Sequence, residues 1–126
     1  MLASDSEARK GKTPLPGRPV RGSSTGRPEM ALLDLLGRRW ALRVLWELRD
    51  GTPLTFRALQ TAAGDISSSV LNDRLRELRE AEIVAAVEGG GYALTDAGRD
   101  LLSALEPLEA WAARWARRRP AGVRER

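Results

Sequence analysis

Hydroxyl, amide and guanidinium side chains are concentrated in residues 67–79. Leu71, Leu75 and Leu78 recur at the i, i+4 and i+7 spacing of a one-sided helix, so the stretch predicts a helix with one apolar face. At about 100° per residue, the polar residues point away from that face. Their donors and acceptors suit contacts to base edges in the DNA major groove. The outward set is Ser68, Ser69, Asn72, Asp73 and Arg76.

Individual side chains in and near this helix suggest particular DNA contacts. Asn72 can make a bidentate contact to adenine, and Arg76 can contact guanine or a phosphate. Arg57 and Arg79 are further phosphate candidates. Arg74 lies nearer the apolar edge, where an intrahelical pair with Glu77 is as expected as a phosphate contact. Ser67 is a suitable N-cap and is also included among the predicted DNA-contact residues.

Composition argues against catalysis and against a metal site. The 126 residues include no cysteine and no histidine, which removes thiol chemistry, thiolate zinc sites and the commonest general base. The carboxylates are scattered among arginines on helical faces, where solvated pairs are expected. We therefore predict that the protein is not an enzyme and needs neither metal nor cofactor. The length and the 42% hydrophobic content predict one domain.

The net charge of +4 is distributed unevenly along the chain. Residues 1–28 hold six basic and two acidic residues, and residues 114–126 hold six basic and one acidic residue. Residues 29–113 hold nine basic against 14 acidic residues, a net charge of −5. The basic pI therefore describes the two ends, so the DNA-binding hypothesis depends on the helix motif.

The first segment, 1–28, is rich in Pro, Gly and Ser and has no apolar periodicity, so it predicts a disordered basic arm. Its functional interpretation is a tail that contacts DNA phosphates, and the alternative is a solvated leader without a binding role. No apolar run resembles a signal peptide or a membrane span, so a cytoplasmic protein without membrane contact is expected. A folded domain over 29–118 and a basic tail over 119–126 complete the predicted organisation.

Within the domain, helices are predicted from Pro28 to the stop at Gly37, over residues 39–49, and around Phe56 and Leu59. Residues 52–54 can form a short strand. Residues 84–87 and 92–94 predict a hairpin with a glycine-rich tip. Thr95 should cap the last helix.

The last helix carries a narrow apolar stripe with a seven-residue repeat, starting at Leu94 and interrupted by Pro107, which should kink or restart the helix. Such a stripe is typical of a partner seam, although it could also pack on its own domain. The first helix is unusually apolar for a small domain, which favours self-association. The predicted dimer-interface residues are Leu32, Leu33, Leu36, Leu101, Leu105, Leu108, Trp111 and Trp115.

Five stretches in order resemble a known family: LLGRRW at 35–40, LRDG at 48–51, TFRAL at 55–59, residues 66–78, and YALTDAG at 92–98. Together they resemble the HxlR-type bacterial transcription regulators, which are relatives of the MarR group, over about residues 30–116. The resemblance implies a homodimer joined by its first and last helices. It also implies that the helix from Ser67 enters a major groove and that Gly89, Gly90 and Gly91 form the wing tip.

Three features depart from the family pattern. The cysteine that often senses oxidants is absent, so thiol sensing is excluded. The wing tip offers glycines where the family usually has prolines and an arginine. Ala81-Glu82 replaces the usual Ala-Gly, so the helix end is expected to differ.

The fold class predicted is mainly α with a small β-hairpin, a winged helix-turn-helix with an added C-terminal dimerisation helix. The predicted function is sequence-specific transcriptional regulation by a homodimer on a palindromic double-stranded operator. The alternative is a winged-helix module that binds a protein and not DNA. A small-molecule effector between the long helices is compatible with this architecture, with Trp40, Trp111 and Trp115 as candidate lining, although core packing is the expected role of each.

Overall fold

The computed structural model describes residues 12–119, and five helices and one hairpin follow one another in these residues. The elements are α1 (Pro28–Leu36), α2 (Ala41–Glu47), α3 (Phe56–Ala62), α4 (Ser68–Glu80), β1 (Val84–Ala86), β2 (Tyr92–Leu94) and α5 (Asp96–Arg118). The mainly helical fold class with a small antiparallel hairpin and a long C-terminal helix is confirmed.

Apolar side chains from every element before α5 meet in one core beneath α4. Because α4 buries Leu71, Leu75 and Leu78, its apolar face is fixed against this core and its polar face is turned outward. The buried cluster consists of Leu35, Leu36, Val44, Leu45, Leu48, Leu59, Ala63, Ile66, Leu71, Leu75, Leu78, Ile83, Val84 and Leu94.

The hairpin pairs Val84 with Leu94 and Ala86 with Tyr92 in antiparallel register. The predicted strand over residues 52–54 is reduced to one bridge, in which Leu54 and Tyr92 exchange N–H···O bonds of 3.0 and 2.8 Å. The Thr52 N–H, which would be the next donor to β2 in this register, donates instead to the Asp50 carboxylate (2.9 Å), so the pairing stops at one bridge.

The second helix is shorter than residues 39–49. Trp40 takes a left-handed φ of 77° and precedes the helix, which begins at Ala41 and ends at Glu47. The last helix does not restart at Pro107, because α5 is continuous to Arg118. Pro107 leaves the carbonyl of Ser103 without its helical partner, and Ser103 is exposed, so water can satisfy that carbonyl. Leu94 lies in β2 and not in this helix.

The basic arm differs from the expectation where it is described. Residues 12–27 form turns that bury Thr13 and Val20, so a disordered arm over 1–28 is incorrect for these residues. Specific hydrogen bonds to side chains of α4 and α1 replace the missing apolar periodicity. Residues 1–11, and residues 120–126 of the predicted tail, lie outside the described residues. No helix within residues 12–119 is long and apolar enough to cross a membrane.

Candidate nucleic-acid interface

The N-terminus of α4 is fixed by its cap and by the preceding turn. The Ser67 hydroxyl accepts a hydrogen bond from the Val70 N–H (3.2 Å), which confirms the predicted N-cap. The Gln60 side-chain amide donates to the Ile66 carbonyl (2.9 Å) and to the Ser68 hydroxyl (3.2 Å). α3 is thereby tied to the first turn of α4, as a helix-turn-helix requires.

The polar face of α4, defined as Ser68, Ser69, Asn72 and Arg76, is exposed throughout. Arg76 pairs with Asp73 at 3.3 Å, and more than half of each side chain is exposed. Exposed pairs of this kind contribute little stability, so the guanidinium can exchange its carboxylate for a nucleic-acid acceptor at small cost. The structure therefore brings the four predicted base-contacting side chains to one surface.

Arg74 does not belong to that surface. Its Nε lies 3.4 Å from Glu77 Oε1, and Glu77 Oε2 accepts a hydrogen bond of 2.7 Å from Arg38 in the turn between α1 and α2. Of the two roles foreseen for Arg74, the structure shows the pair with Glu77. The burial of Glu77 and its pair with Arg38 were not predicted, although a carboxylate at an inward position of an amphipathic helix was a usable signal.

The other predicted cations flank the polar face. Arg57 is exposed on α3. Arg79 is exposed at the last turn of α4, where its guanidinium carbon lies 6.0 Å from the centroid of the Tyr92 ring in the hairpin. Arg79 thus lies between the polar face and the base of the wing.

The wing tip is a loop of Gly89, Gly90 and Gly91, all with positive φ, in which Gly89 and Gly90 are exposed and Gly91 is half-buried. The Val87 N–H bonds the Gly91 carbonyl (2.9 Å), and the Gly90 N–H bonds the Val87 carbonyl (3.2 Å). The neighbouring Glu88 is also exposed. The tip can therefore offer backbone N–H groups and let its backbone approach DNA closely, but the nearest charged side chain, Glu88, is negative.

Helix α4 ends with Glu82 in the left-handed conformation, at φ 62°. The Ile83 N–H bonds the Leu78 carbonyl and the Glu82 N–H bonds the Arg79 carbonyl, each at 2.9 Å. This is the paired hydrogen-bond pattern of a Schellman ending, in which glycine is the usual left-handed residue. The end of α4 therefore keeps the Schellman geometry, with Glu82 strained at the position that glycine usually occupies.

An apolar groove of about 620 Å³ lies between α1, α2 and α5. Of the predicted interface residues, Leu33, Leu36, Leu105 and Leu108 line it. Leu32 and Leu101 pack partly against the core instead. Of the lining residues that were not among the predicted interface residues, the large apolar ones are Leu42, Trp46 and Leu102.

Trp111 and Trp115 differ from the expected core role, whereas Trp40 keeps it in part. Trp111 and Trp115 stack on each other, with centroids 5.8 Å apart, and each is about half-exposed on α5. They do not line the groove, and neither does Trp40, which packs partly against the core. Within the described residues, no group of three or more acidic side chains is placed to share a metal ion.

Comparison with known proteins places this geometry in a family. The model of the HxlR-like helix-turn-helix family matches residues 35–120. The chain belongs to this family. It is therefore a transcriptional regulator of the helix-turn-helix type, a class that binds DNA.

Two relatives from Bacillus subtilis illustrate the similarity. The HTH-type transcriptional regulator YodB is 33% identical over 92 residues, which cover 68% of this chain and 81% of YodB. The uncharacterized HTH-type transcriptional regulator YvaP is 29% identical over 92 residues, which cover 66% of this chain and 82% of YvaP. The predicted family is thus confirmed by sequence.

Solved structures agree with the fold. The quinone-bound crystal structure of YodB matches with a TM-score of 0.62 and 33% identity, covering 67% of this chain and 93% of that one. A MarR-family regulator from Enterococcus faecalis matches with a TM-score of 0.62 and 27% identity, covering 76% of this chain and 94% of that one. The relation to the MarR group predicted from sequence is confirmed.

Proposed function

We propose that the protein binds duplex DNA sequence-specifically by inserting α4 into the major groove. The exposed polar face of α4, held outward by the buried Leu71, Leu75 and Leu78, carries this proposal. Asn72 would contact adenine, and Arg76 would contact guanine or a phosphate. The Ser68 and Ser69 hydroxyls can serve as donors or acceptors at the helix N-terminus.

The DNA-binding form is a symmetric dimer. Leu33 and Leu108 are 61% and 60% exposed, and every residue of α5 from 106 onward is exposed. The exposed apolar side chains on the C-terminal half of α5 need another protein surface to cover them, and a second copy of this chain provides that surface. Two α4 helices about 34 Å apart would then meet a palindromic site one DNA turn long.

The experiment that tests DNA reading is selection of bound fragments from random DNA, followed by affinity measurements on the selected operator. Asn72→Ala and Arg76→Ala should each weaken binding by about tenfold or more, since a discriminating contact contributes roughly 1 to 3 kcal/mol. Arg27→Ala, which removes a cation paired with Glu29 at the start of α1, is the matched control. Failure to select any fragment would favour the alternative, a protein-binding module.

The dimer is tested by Leu105→Asp combined with Leu108→Asp, which places charge in the groove. The double variant should be monomeric in light scattering and should lose tight operator binding. Ala110→Asp changes an exposed position of the same helix outside the groove and should remain dimeric. A wild-type monomer at micromolar concentration, or a dimeric double variant, would refute the interface.

The groove also supports a finer proposal, an apolar small-molecule effector. One related structure is described as quinone-bound, and this chain has no cysteine, so its ligand would bind without a thiol adduct. Trp46 lines the groove and is a natural reporter. Titration with a quinone should quench fluorescence in the wild type and should lose that component in Trp46→Phe. An identical response in both proteins would place the ligand elsewhere.

A further inference from the structure

Residues 12–26, hereafter the strap, form a compact segment that precedes the family-matched region at 35–120. The Gly17 N–H bonds the Gly26 carbonyl (2.9 Å), and Val20 and Ser23 exchange backbone hydrogen bonds of 2.9 and 3.0 Å. A Cβ at Gly26 would lie 2.3 Å from the Arg18 carbonyl oxygen, so the two arms of the strap cross at that glycine. The strap therefore has a defined shape of its own.

The strap docks on the C-terminal turns of α4 through Glu80. The buried Thr13 hydroxyl donates to Glu80 Oε1 (2.7 Å), and the Arg18 guanidinium lies 3.3 Å from Glu80 Oε2. Arg18 also donates to the Thr13 carbonyl (3.0 Å). Arg38 joins the same end, since it bonds both the Lys12 carbonyl (3.1 Å) and Glu77 (2.7 Å).

This docking site adjoins the polar face. Glu80 follows Arg76 by four residues, so the two side chains share one side of α4. The charge of Arg76 contributes to lowering the pKa of the Glu80 carboxyl, after the larger effects of the Thr13 hydrogen bond and the Arg18 guanidinium. Glu80 is therefore an ionised carboxylate beside the proposed DNA contact, where it would repel phosphates if it were uncovered.

The strap makes this end of α4 positively charged. Without it, the carboxylates of Glu77 and Glu80 are balanced by Arg38 and Arg74, which gives a local net charge of zero. Lys12 and Arg18 raise that charge to +2. The Arg18 side chain remains 39% exposed. Lys12 is exposed, and its ammonium group has no ion-pair or hydrogen-bond partner within residues 12–119.

We propose that the strap is an additional phosphate-binding element for duplex DNA, in which Lys12 and Arg18 contact the backbone flanking the groove entered by α4. This inference rests on the proposed DNA-binding function and assigns part of its sequence-independent affinity to residues outside the family-matched region. Such an element is needed, because α4 has few cations of its own and residues 29–113 carry a net charge of −5.

The test is the dependence of operator affinity on salt. Each neutralised phosphate contributes about 0.9 to the logarithmic slope on duplex DNA, and a dimer presents each residue twice, so Lys12→Ala should reduce the slope by about 1.8. Raising the salt from 50 to 200 mM should therefore weaken operator binding by Lys12→Ala about 12-fold less than it weakens binding by the wild type. Arg18→Ala should act similarly, and Arg18→Lys should retain the slope. Arg27→Ala removes the same charge beside Glu29 on α1 and should leave the slope unchanged.

Wild-type slopes in both Lys12→Ala and Arg18→Ala would overturn the proposal and leave the strap with a structural role only. Lys12→Ala keeps this outcome decisive, because its side chain supports no contact within the described residues. Arg76→Ala, measured in parallel, separates the two hypotheses. If Arg76→Ala weakens operator binding while the Lys12 and Arg18 variants keep the slope, the strap inference fails and the proposed function stands. If no operator is bound by the wild type, the proposed function itself fails.

Discussion

Replacing Glu77 by Gln should destabilise the fold far more than the corresponding replacement of any exposed carboxylate of α4. The Glu77 side chain is 5% exposed and pairs with Arg38 at 2.7 Å and Arg74 at 3.4 Å, whose side chains are 20% and 15% exposed. Glu77→Gln keeps the shape but leaves two cations side by side. Removing one partner of a fully buried pair costs about 3 to 5 kcal/mol. Because both arginines can turn partly to water, we expect a cost of about 2 kcal/mol here.

The measurement is urea unfolding at one fixed protein concentration, since the proposed dimer would make apparent stability concentration-dependent. The midpoint should fall with an unchanged m-value, and the thermal midpoint should fall by about 8 °C. Asp73→Asn is the matched control, because it neutralises the exposed partner of Arg76 on the same helix and should cost no more than about 0.5 kcal/mol.

Equal losses in Glu77→Gln and Asp73→Asn would refute this reasoning. A second result would refine it. Replacing Arg38, Arg74 and Glu77 together by Met should recover most of the lost stability, because a buried ion cluster exchanged for apolar volume is often neutral or stabilising. Operator affinity of the triple variant would then show whether the cluster also holds α4 in its DNA-binding orientation.

Three further changes have defined outcomes. Glu82→Gly should raise the free energy of unfolding by about 0.5 to 1 kcal/mol in urea titration, because it relieves a left-handed residue. Glu88→Lys should raise the salt slope of operator binding by about 1.8 if the wing lies along the backbone, and Glu106→Lys is the charge control. The lowered pKa of Glu80 implies that strap docking is favoured above its ordinary pKa and is lost as pH falls through the folded value. NMR titration should show this pKa returning toward its ordinary value in Thr13→Val.

Local periodicity was sufficient to predict the faces of α4. The spacing of Leu71, Leu75 and Leu78 decides which side is buried, and the side chains between them must then point outward. The caps Ser67 and Thr95 were predictable for the same reason, since each hydroxyl bonds a backbone N–H three residues ahead in its own helix. Interactions that a helix makes with itself are encoded within a few residues.

Contacts between distant parts of the chain could not be predicted in this way. Arg38 and Glu77 are 39 residues apart in sequence, and Thr13 and Glu80 are 67 apart. Composition alone suggested that the segment holding Thr13 was disordered, because its order depends on one buried hydroxyl and a few hydrogen bonds instead of an apolar pattern. Likewise, Trp46 joins the groove only because α2 and α5 pack together.

The distribution of charge bears directly on how such a regulator would select its site. Sequence-independent affinity grows with the number of phosphates neutralised, and the acidic domain provides few cations for this purpose. The wing tip adds Glu88 and no cation. Binding to arbitrary DNA would therefore be weakened by repulsion that the proposed base contacts from Asn72 and Arg76 would overcome at the correct site. An acidic domain with a small cationic strap thus favours a high ratio of specific to non-specific binding over high total affinity.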